Sequence, residues 1–541
     1  MIGSSSAVAA DWLPQLQSDN ASEDSPKTLD HYRPLPEIRV NGRQLRDVSA
    51  EALEALNAAN DPAKVFARAG TVVRVDHAED GRPLIVQMTD VHLRGEMTRA
   101  ANFYKLSTRP VEPARTPVSP PMDAARDILS RPVAELGFPP LEAIAEAPFI
   151  RPDGVIVARE GYDFETRTYY APVGDMSDFF VPDRPNADDV DKARALIEDA
   201  LAEFPFEDEA SRANAFALFI TPEIRHAVVG NVPMGLIDAP QAGSGKTLLV
   251  SIVSEKTTGS AAAMKPAPIR DDDEWRKTLT ATIQAGQCLT IFDNVDHVLS
   301  SPSLALALTA STWTDRVLGC TDIVTLPQRT VFVGTGNNIV LGGDLPRRCY
   351  WIRLDAQCSE PWRHRQFRHQ DLRGWVRAKR GRLLSASLTL ARAWFVARCP
   401  KADSPVVGSF EEWCRIVGGI LQFAGISAFL GNLDELYKQS DPTTAAWEAF
   451  LIELHRRMSK SGFKGAEVAA RVRDDKELRA VLPEDLGDIE PSASFQRRLG
   501  KALLKRVSRR YGDSGVHLVR VGTRQGAVVW AVHVDRKDLP P

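Results

Sequence analysis

Two glycines, a lysine and a threonine, Gly243, Gly245, Lys246 and Thr247, close the stretch APQAGSGKT. Before it, Met234 to Asp238 is an apolar run that reads as a buried strand. After it, LLVSIVSEKTTG reads as an amphipathic helix. Strand, glycine-rich loop and helix in that order make an anion site. The glycines let the backbone curl so that the N–H groups of Ala242, Gly243, Ser244, Gly245, Lys246, Thr247 and Leu248 converge on one point. The helix N-terminus adds its positive end. Lys246 reaches the outer phosphates of a nucleoside triphosphate and Thr247 offers a hydroxyl to magnesium, so ATP and Mg2+ are the expected ligands. One position departs from the usual G-x-x-x-x-G-K-T: Pro240 stands where the first glycine would be. Proline tolerates the exit from a strand, and the phosphate contacts fall mainly on residues 242–247.

A second apolar run ends at Asp293 in QCLTIFDNVDH, as a buried parallel strand would end at a metal-binding carboxylate. Asp293 and Thr247 are therefore the candidate magnesium ligands. Asn294 follows, where an acid would serve as base for the attacking water. Asp296 or Glu274 could take that part, or Asn294 could orient the water. A third run, TVFVGTGNN, ends at Asn337 and Asn338, and Asn337 is placed to sense the γ-phosphate. Arg347 and Arg348 in LGGDLPRRCYWIRL precede the next strand, where arginines commonly reach a neighbouring subunit's nucleotide.

The order of these pieces, APQAGSGKT, TIFDNV, VGTGNNIVLGGDLPRR and the trailing SFEEWCRIVGGIL, resembles the ring-forming ATPases of the AAA+ and superfamily 3 helicase group. It looks most like the primase-helicase type carried by phages and integrative elements. The resemblance covers residues 200–435 well and the C-terminal unit loosely. It implies a hexameric ring, ATP sites between subunits, translocation on single-stranded DNA, and a primase or polymerase partner. It also gives a role to TDRVLGCTDIVTLPQRT, which reads as two strands turning near Cys320-Thr321-Asp322: such a hairpin projects into the channel, with Arg316 and Arg329 as candidate DNA contacts.

The elements around this core follow from periodicity. Residues 190–204 and 208–228 read as helices leading into an ATPase core over 190–356, and 357–440 as a helical lid. Residues 441–541 read as helix, helix, helix and hairpin, the order of a winged helix. In ASFQRRLGKALLKRVSRRYG the apolar Phe495, Leu499, Leu503 and Val507 recur every four residues. Seven cations, Arg497, Arg498, Lys501, Lys505, Arg506, Arg509 and Arg510, occupy much of the remainder, with no acid among them. This third helix would face duplex DNA, with Arg524 on the wing. The expected fold is thus an α/β P-loop NTPase with an α+β N-terminal region (36–172, role unassigned) and a C-terminal winged helix. In the N-terminal region SAEALEALNAAN reads as a helix capped by Ser49, and 70–89 as a hairpin turning at Glu79-Asp80-Gly81. Residues 1–35 read as a disordered leader.

Composition narrows the class. The 541 residues are 43% hydrophobic and 26% charged, ordinary for a cytoplasmic globular protein, and no apolar run is long enough to cross a bilayer. The net charge of −4 excludes a wholly basic nucleic-acid coat and leaves local basic stripes. Six cysteines show no C-x-x-C spacing, so neither disulfides nor a structural metal is expected. The leading expectation is an ATP-dependent DNA helicase or translocase of a phage or mobile element. Two rivals would use the same ATP site: a protein remodeller or loader, and an ATP-gated DNA-binding protein with slow turnover.

Overall fold

The computed structural model describes residues 34–107, 114–261, 263–269, 271–316, 323–358, 360, 368–440, 442–458, 460–487, 492–512 and 514–535. The expected leader, apart from its last residues, lies outside them. So does the tip of the 314–330 hairpin.

The chain divides into two compact units, Met1–Ala58 with Val91–Ile128, and Ala59–Asp90 with Leu129–Pro541. The stretch 36–172, read from sequence as one region, is therefore shared between them. In the first unit the strand Asn102–Leu106 pairs in parallel with Glu37–Arg39 and antiparallel with Arg115–Pro117. Its first helix begins at Leu45, so Ser49 is a buried residue within the helix and not its cap.

The second unit is organised by a five-stranded parallel sheet. Its strands are β1 (Met234–Ala239), β2 (Met264–Pro266), β3 (Leu289–Val295), β6 (Val331–Asn337) and β7 (Cys349–Arg353). A separate antiparallel pair, β4 (Thr312–Arg316) and β5 (Ile323–Pro327), lies between β3 and β6 in the chain. The sheet order is β2-β3-β6-β1-β7, every neighbour parallel. Parallel strands covered on both faces need continuous apolar runs. MGLIDA meets that need, being buried at every position. The order sets β6 between β1 and β3, so the loop after β1 and the acid on β3 both adjoin the end of β6.

Three helices serve this sheet: α1 (Lys246–Thr258), α2 (Asp272–Gln284) and α3 (Pro302–Thr309). Asp271 caps α2 by accepting from Asp273 N and Glu274 N. Ser301 caps α3, and Asp272 accepts from Ser301 Oγ (2.6 Å) and Ser303 Oγ (2.7 Å), tying the two helix starts together. The helix Glu209–Ile224 is buried at every position from Ala213 to its end.

Strands from the N-terminal third pack on the same unit. Arg68 is buried and donates to the carbonyls of Leu141, Glu142 and Ile283, the last on α2. The strand pair Gly161–Asp163 and Thr168–Tyr170 turns through residues 164–167.

After β7 come α4 (Leu372–Ala378), α5 (Arg380–Val396) and the helices Glu411–Phe423 and Leu433–Ser440. Two arginines, one on α4 and one at the start of α5, join these helices to α1. Arg373 Nε donates to Glu255 Oε1 at 2.7 Å. Arg380 donates to the carbonyls of Lys256 (2.9 Å) and Thr257 (3.0 Å), satisfying the last turn of α1.

The C-terminal part has its own core. It contains α6 (Pro442–Arg457), β8 (Phe463–Lys464), α7 (Gly465–Asp474), α8 (Lys476–Ala480), α9 (Ser492–Lys505), β9 (Arg510–Tyr511), β10 (Val516–Arg524) and β11 (Ala527–His533). Its antiparallel sheet runs β8-β11-β10-β9. Phe495, Leu499 and Leu503 of α9 are fully buried, as the row of apolar residues four apart expects, whereas Val507 lies past the helix end at Lys505 and is half-buried. The β10–β11 turn holds Gln525 at φ 54° and Gly526 at φ 76°, the two left-handed residues of a type I′ turn.

Candidate functional site

The loop between β1 and α1 is built by two left-handed glycines, Gly243 at φ 77° and Gly245 at φ 102°. A side chain would strain both positions. Gly245 is the residue before the first turn of α1, so the free N–H groups of that helix open onto the loop. Ser244 is buried and its hydroxyl donates to Gln241 O at 3.2 Å, which closes the loop on itself. Ala242, Gly243 and Thr247 are exposed, and Leu248 is half-buried.

Lys246 lies back across this loop. Its ammonium donates to Gln241 O (3.2 Å), Ser244 Oγ (3.4 Å) and Asn337 Oδ1 (2.6 Å). All three acceptors are neutral, and among the described residues no carboxylate lies within ion-pair distance of it. Burial lowers the ammonium's pKa, while the charges of Asp238 and Asp293 raise it in part. A partly buried cation held only by neutral oxygens at the mouth of a glycine-rich loop has charge left to offer an anion. The bond to Asn337 joins the two strand ends that the sheet order brings together.

Asp293 and Asn294 leave the ladder between β3 and β6, while Asp293 still pairs with Pro266 of β2. The register between β3 and β6 slips between Phe292 and Val295, and Asn294 takes φ 55°. Asp293 stays half-buried and Asn294 is exposed. Thr335 of β6 fills the gap: its hydroxyl donates to Asp293 Oδ1 at 2.5 Å and accepts from Asn294 N at 3.2 Å. Next to it, a Cβ on Gly336 would come within 2.4 Å of Val295 O, so only glycine admits the bulged strand there.

Asp238 is a further member that the sequence reading passed over. It is buried at the end of β1, and its Oδ1 accepts from Ile339 N at 3.0 Å. Burial pushes its carboxyl up, against that N–H and the nearby Arg353 and Lys246. Asn338 N also donates to Ala239 O at 3.1 Å. The turn after β6 is thus fixed to the strand that carries the loop, which places Asn337 beside Lys246.

Of the other candidate acids, Glu274 pairs with Lys277 at 2.5 Å on α2, and Asp296 bonds His297 Nδ1 at 3.1 Å. The two arginines before β7 differ. Arg348 donates to Ala305 O and Thr309 Oγ1 of α3 and pairs with Asp344 at 3.3 Å, so it holds the end of that helix. Arg347 is exposed, and its guanidinium makes no ion pair among the described residues.

The nucleic-acid candidates divide in the same way. Arg316 is exposed at the end of β4. Arg329 lies beyond β5 and pairs with Glu142 at 2.9 Å, which gives it an internal role. On α9, Arg498 donates to Leu486 O (2.8 Å) and Ser494 Oγ (2.8 Å). Arg506 pairs with Asp485 at 2.6 Å and lies 4.1 Å from the Trp447 ring centroid. Arg509 stands 5.2 Å from the Tyr511 ring centroid. Arg497, Lys501, Lys505 and the turn residue Arg524 remain exposed.

The donor set fits magnesium. Mg2+ takes hard oxygens, one or two from carboxylates and the rest from water and phosphates. Asp293 and the Thr247 hydroxyl are such donors. Among the described residues no three His, Cys, Asp or Glu side chains converge on a metal position. No described helix is long and apolar enough to cross a membrane.

No protein-family profile and no curated protein matches the chain. Among the solved structures that align with it are two of one protein region. The A form apo structure of the NrS-1 C-terminal region has a TM-score of 0.38 at 11% identity, covering 87% of this chain and 96% of that one. A second structure of the same region has a TM-score of 0.36 at 11% identity, covering 85% and 96%. At this distance neither alignment transfers a residue's role to the present chain.

Proposed function

We propose that the chain is an ATP-driven DNA helicase or translocase of the AAA+ and superfamily 3 kind, working as a hexameric ring in replication of a phage or mobile element. The observation that carries the reading is Lys246, whose ammonium is held by Gln241 O, Ser244 Oγ and Asn337 Oδ1 with no carboxylate partner among the described residues. An incoming γ-phosphate would take Lys246 from Asn337 and free that amide for the attacking water. Residues 242–248 bind the phosphates. Thr247 and Asp293 would hold magnesium, which would supply neutralisation of phosphate charge. Asn294 and Asn337 position water, while Asp296 is engaged by His297 Nδ1. Arg347, left free where Arg348 is engaged, acts on the neighbouring subunit's nucleotide.

DNA would meet the ring at the β4–β5 hairpin through Arg316 and at the C-terminal part through Arg497, Lys501, Lys505 and Arg524. A primase or polymerase partner follows from the family resemblance alone. The test is strand displacement on a forked DNA with ATP, beside Lys246→Ala. ATP-dependent unwinding that the variant lacks supports the reading. Robust ATP hydrolysis with neither unwinding nor movement on DNA overturns it in favour of a remodeller or loader.

One observation favours a second reading. An amide, Asn294, stands exposed at a left-handed position directly after Asp293, where a carboxylate would activate water. An ATP-gated DNA binder with slow turnover would show this. Single-turnover hydrolysis far slower than DNA release would select it.

A further inference from the structure

We propose that Thr335 is the positioning residue of the metal-side carboxylate, holding Asp293 and Asn294 in the one arrangement that presents a free oxygen to the cation. The inference rests on the reading of Asp293 as a magnesium ligand.

The need for such a residue comes from the backbone. β3 and β6 run in register up to Phe292 opposite Gly334, then resume at Val295 opposite Gly336. Asp293 and Asn294 therefore both face the single residue Thr335. In a bulge of this kind the extra residue loses its ladder partner. The N–H so freed needs another acceptor, from the protein or from water. The Thr335 hydroxyl supplies the acceptor for Asn294 N at 3.2 Å.

The same hydroxyl has one proton to give. It goes to Asp293 Oδ1 at 2.5 Å, which fixes the carboxylate's rotation and occupies one oxygen. Oδ2 is left for the cation. A neutral donor does this without neutralising the carboxylate, whereas a lysine or arginine in its place would compete with the metal. Thr335 is itself 1% exposed, and a branched side chain in a strand has few rotamers, so the hydroxyl is held as firmly as the strand. The triplet Thr335-Gly336-Asn337 then has three distinct jobs: Thr335 aims the carboxylate, Gly336 admits the bulge, and Asn337 meets Lys246.

Valine has threonine's shape with neither donor nor acceptor, and serine keeps the hydroxyl. The experiment titrates Mg2+ against binding of a fluorescent, non-hydrolysable ATP analogue by the full chain, for wild type, Thr335→Val, Thr335→Ser and Asp293→Ala, with thermal melts of each. In Thr335→Val, Mg2+-free affinity for the analogue is expected to stay near wild type. The Mg2+ needed for half-maximal effect should rise about tenfold or more, the worth of one hydrogen bond to a charged group. Thr335→Ser should recover most of that shift. If Thr335→Val does not fold, Thr335→Ala makes the same comparison against serine. Equal Mg2+ dependence in the valine and serine variants, with only melting lowered, would mean a purely structural threonine and overturn the proposal. If Asp293→Ala also leaves the Mg2+ dependence unchanged, the metal-ligand reading itself has failed. If that variant abolishes it while Thr335→Val does not shift it, the Thr335 proposal alone has failed.

Discussion

Seven cations lie between Arg497 and Arg510, but the structure leaves only some of them for a ligand. Arg497, Lys501 and Lys505 are exposed and follow one another at intervals of four on α9, so they form a single row along the helix, each step about 6 Å. Each phosphate neutralised on duplex DNA adds about 0.9 to the slope of log K against log salt, so three contacts contribute a slope of about −2.7. Over a fourfold rise in salt, from about 50 to 200 mM, that is a loss of about 40-fold in affinity. Replacing all three residues by Gln should flatten the slope by about 2.7, measured by fluorescence anisotropy of a labelled duplex across a salt series. Arg498→Gln is the control. Its guanidinium is spent on Leu486 O and Ser494 Oγ, so its loss should lower the melting point and leave the slope alone. A triple variant with the wild-type slope would refute the reasoning. So would an Arg498 variant that flattens the slope as much.

Three further outcomes are expected. Arg347→Ala should leave ATP binding and melting unchanged but cut hydrolysis by about a thousandfold or more, whereas Arg348→Ala, which frees the end of α3, should lower the melting point; the two variants compared by calorimetry and phosphate release decide this. Gly336→Ala should cost about 1–3 kcal/mol in denaturant unfolding, because its Cβ would sit 2.4 Å from Val295 O. Burial pushes the Glu146 carboxyl up from 4.5 to about 7. The folded state then holds a proton that the unfolded state releases between those values. Stability should therefore be full at low pH and fall as pH rises through the window, at up to about 1.4 kcal/mol per unit. Glu146→Gln should melt like wild type near the acid end and above it at the alkaline end.

Much of the site is readable in the chain because its chemistry needs fixed spacings. The strand at 234–239, the glycines at 243 and 245 and the helix from Lys246 are local, so the pattern alone places them. The strands ending near Asp293 and Asn337 are also local. What joins them is not. Thr335 in TVFVGTGNN reads as an ordinary strand former, and its hydroxyl acquires a task only when β3 slips register beside it. Asp238 reads as the last polar residue of a strand until the turn after Asn337 folds onto it. Arg347 and Arg348 are adjacent and chemically identical, and only the position of α3 separates them. Arg498 on α9 and Arg506 just past its end look like their neighbours until Leu486, Asp485 and Trp447 arrive from other segments. Helix starts fail for a nearer reason. Ser49 has the chemistry of a cap, but Leu45 to Val48 already continue the helical pattern before it.

The central claim is that the Lys246 loop binds and hydrolyses ATP in the service of DNA. The most direct test is steady-state ATP hydrolysis by the full chain, with and without single-stranded DNA, beside Lys246→Ala. The account expects turnover that DNA stimulates several-fold and that the variant lacks. Hydrolysis indifferent to DNA would contradict the coupling, and hydrolysis that survives the loss of Lys246 would contradict the site.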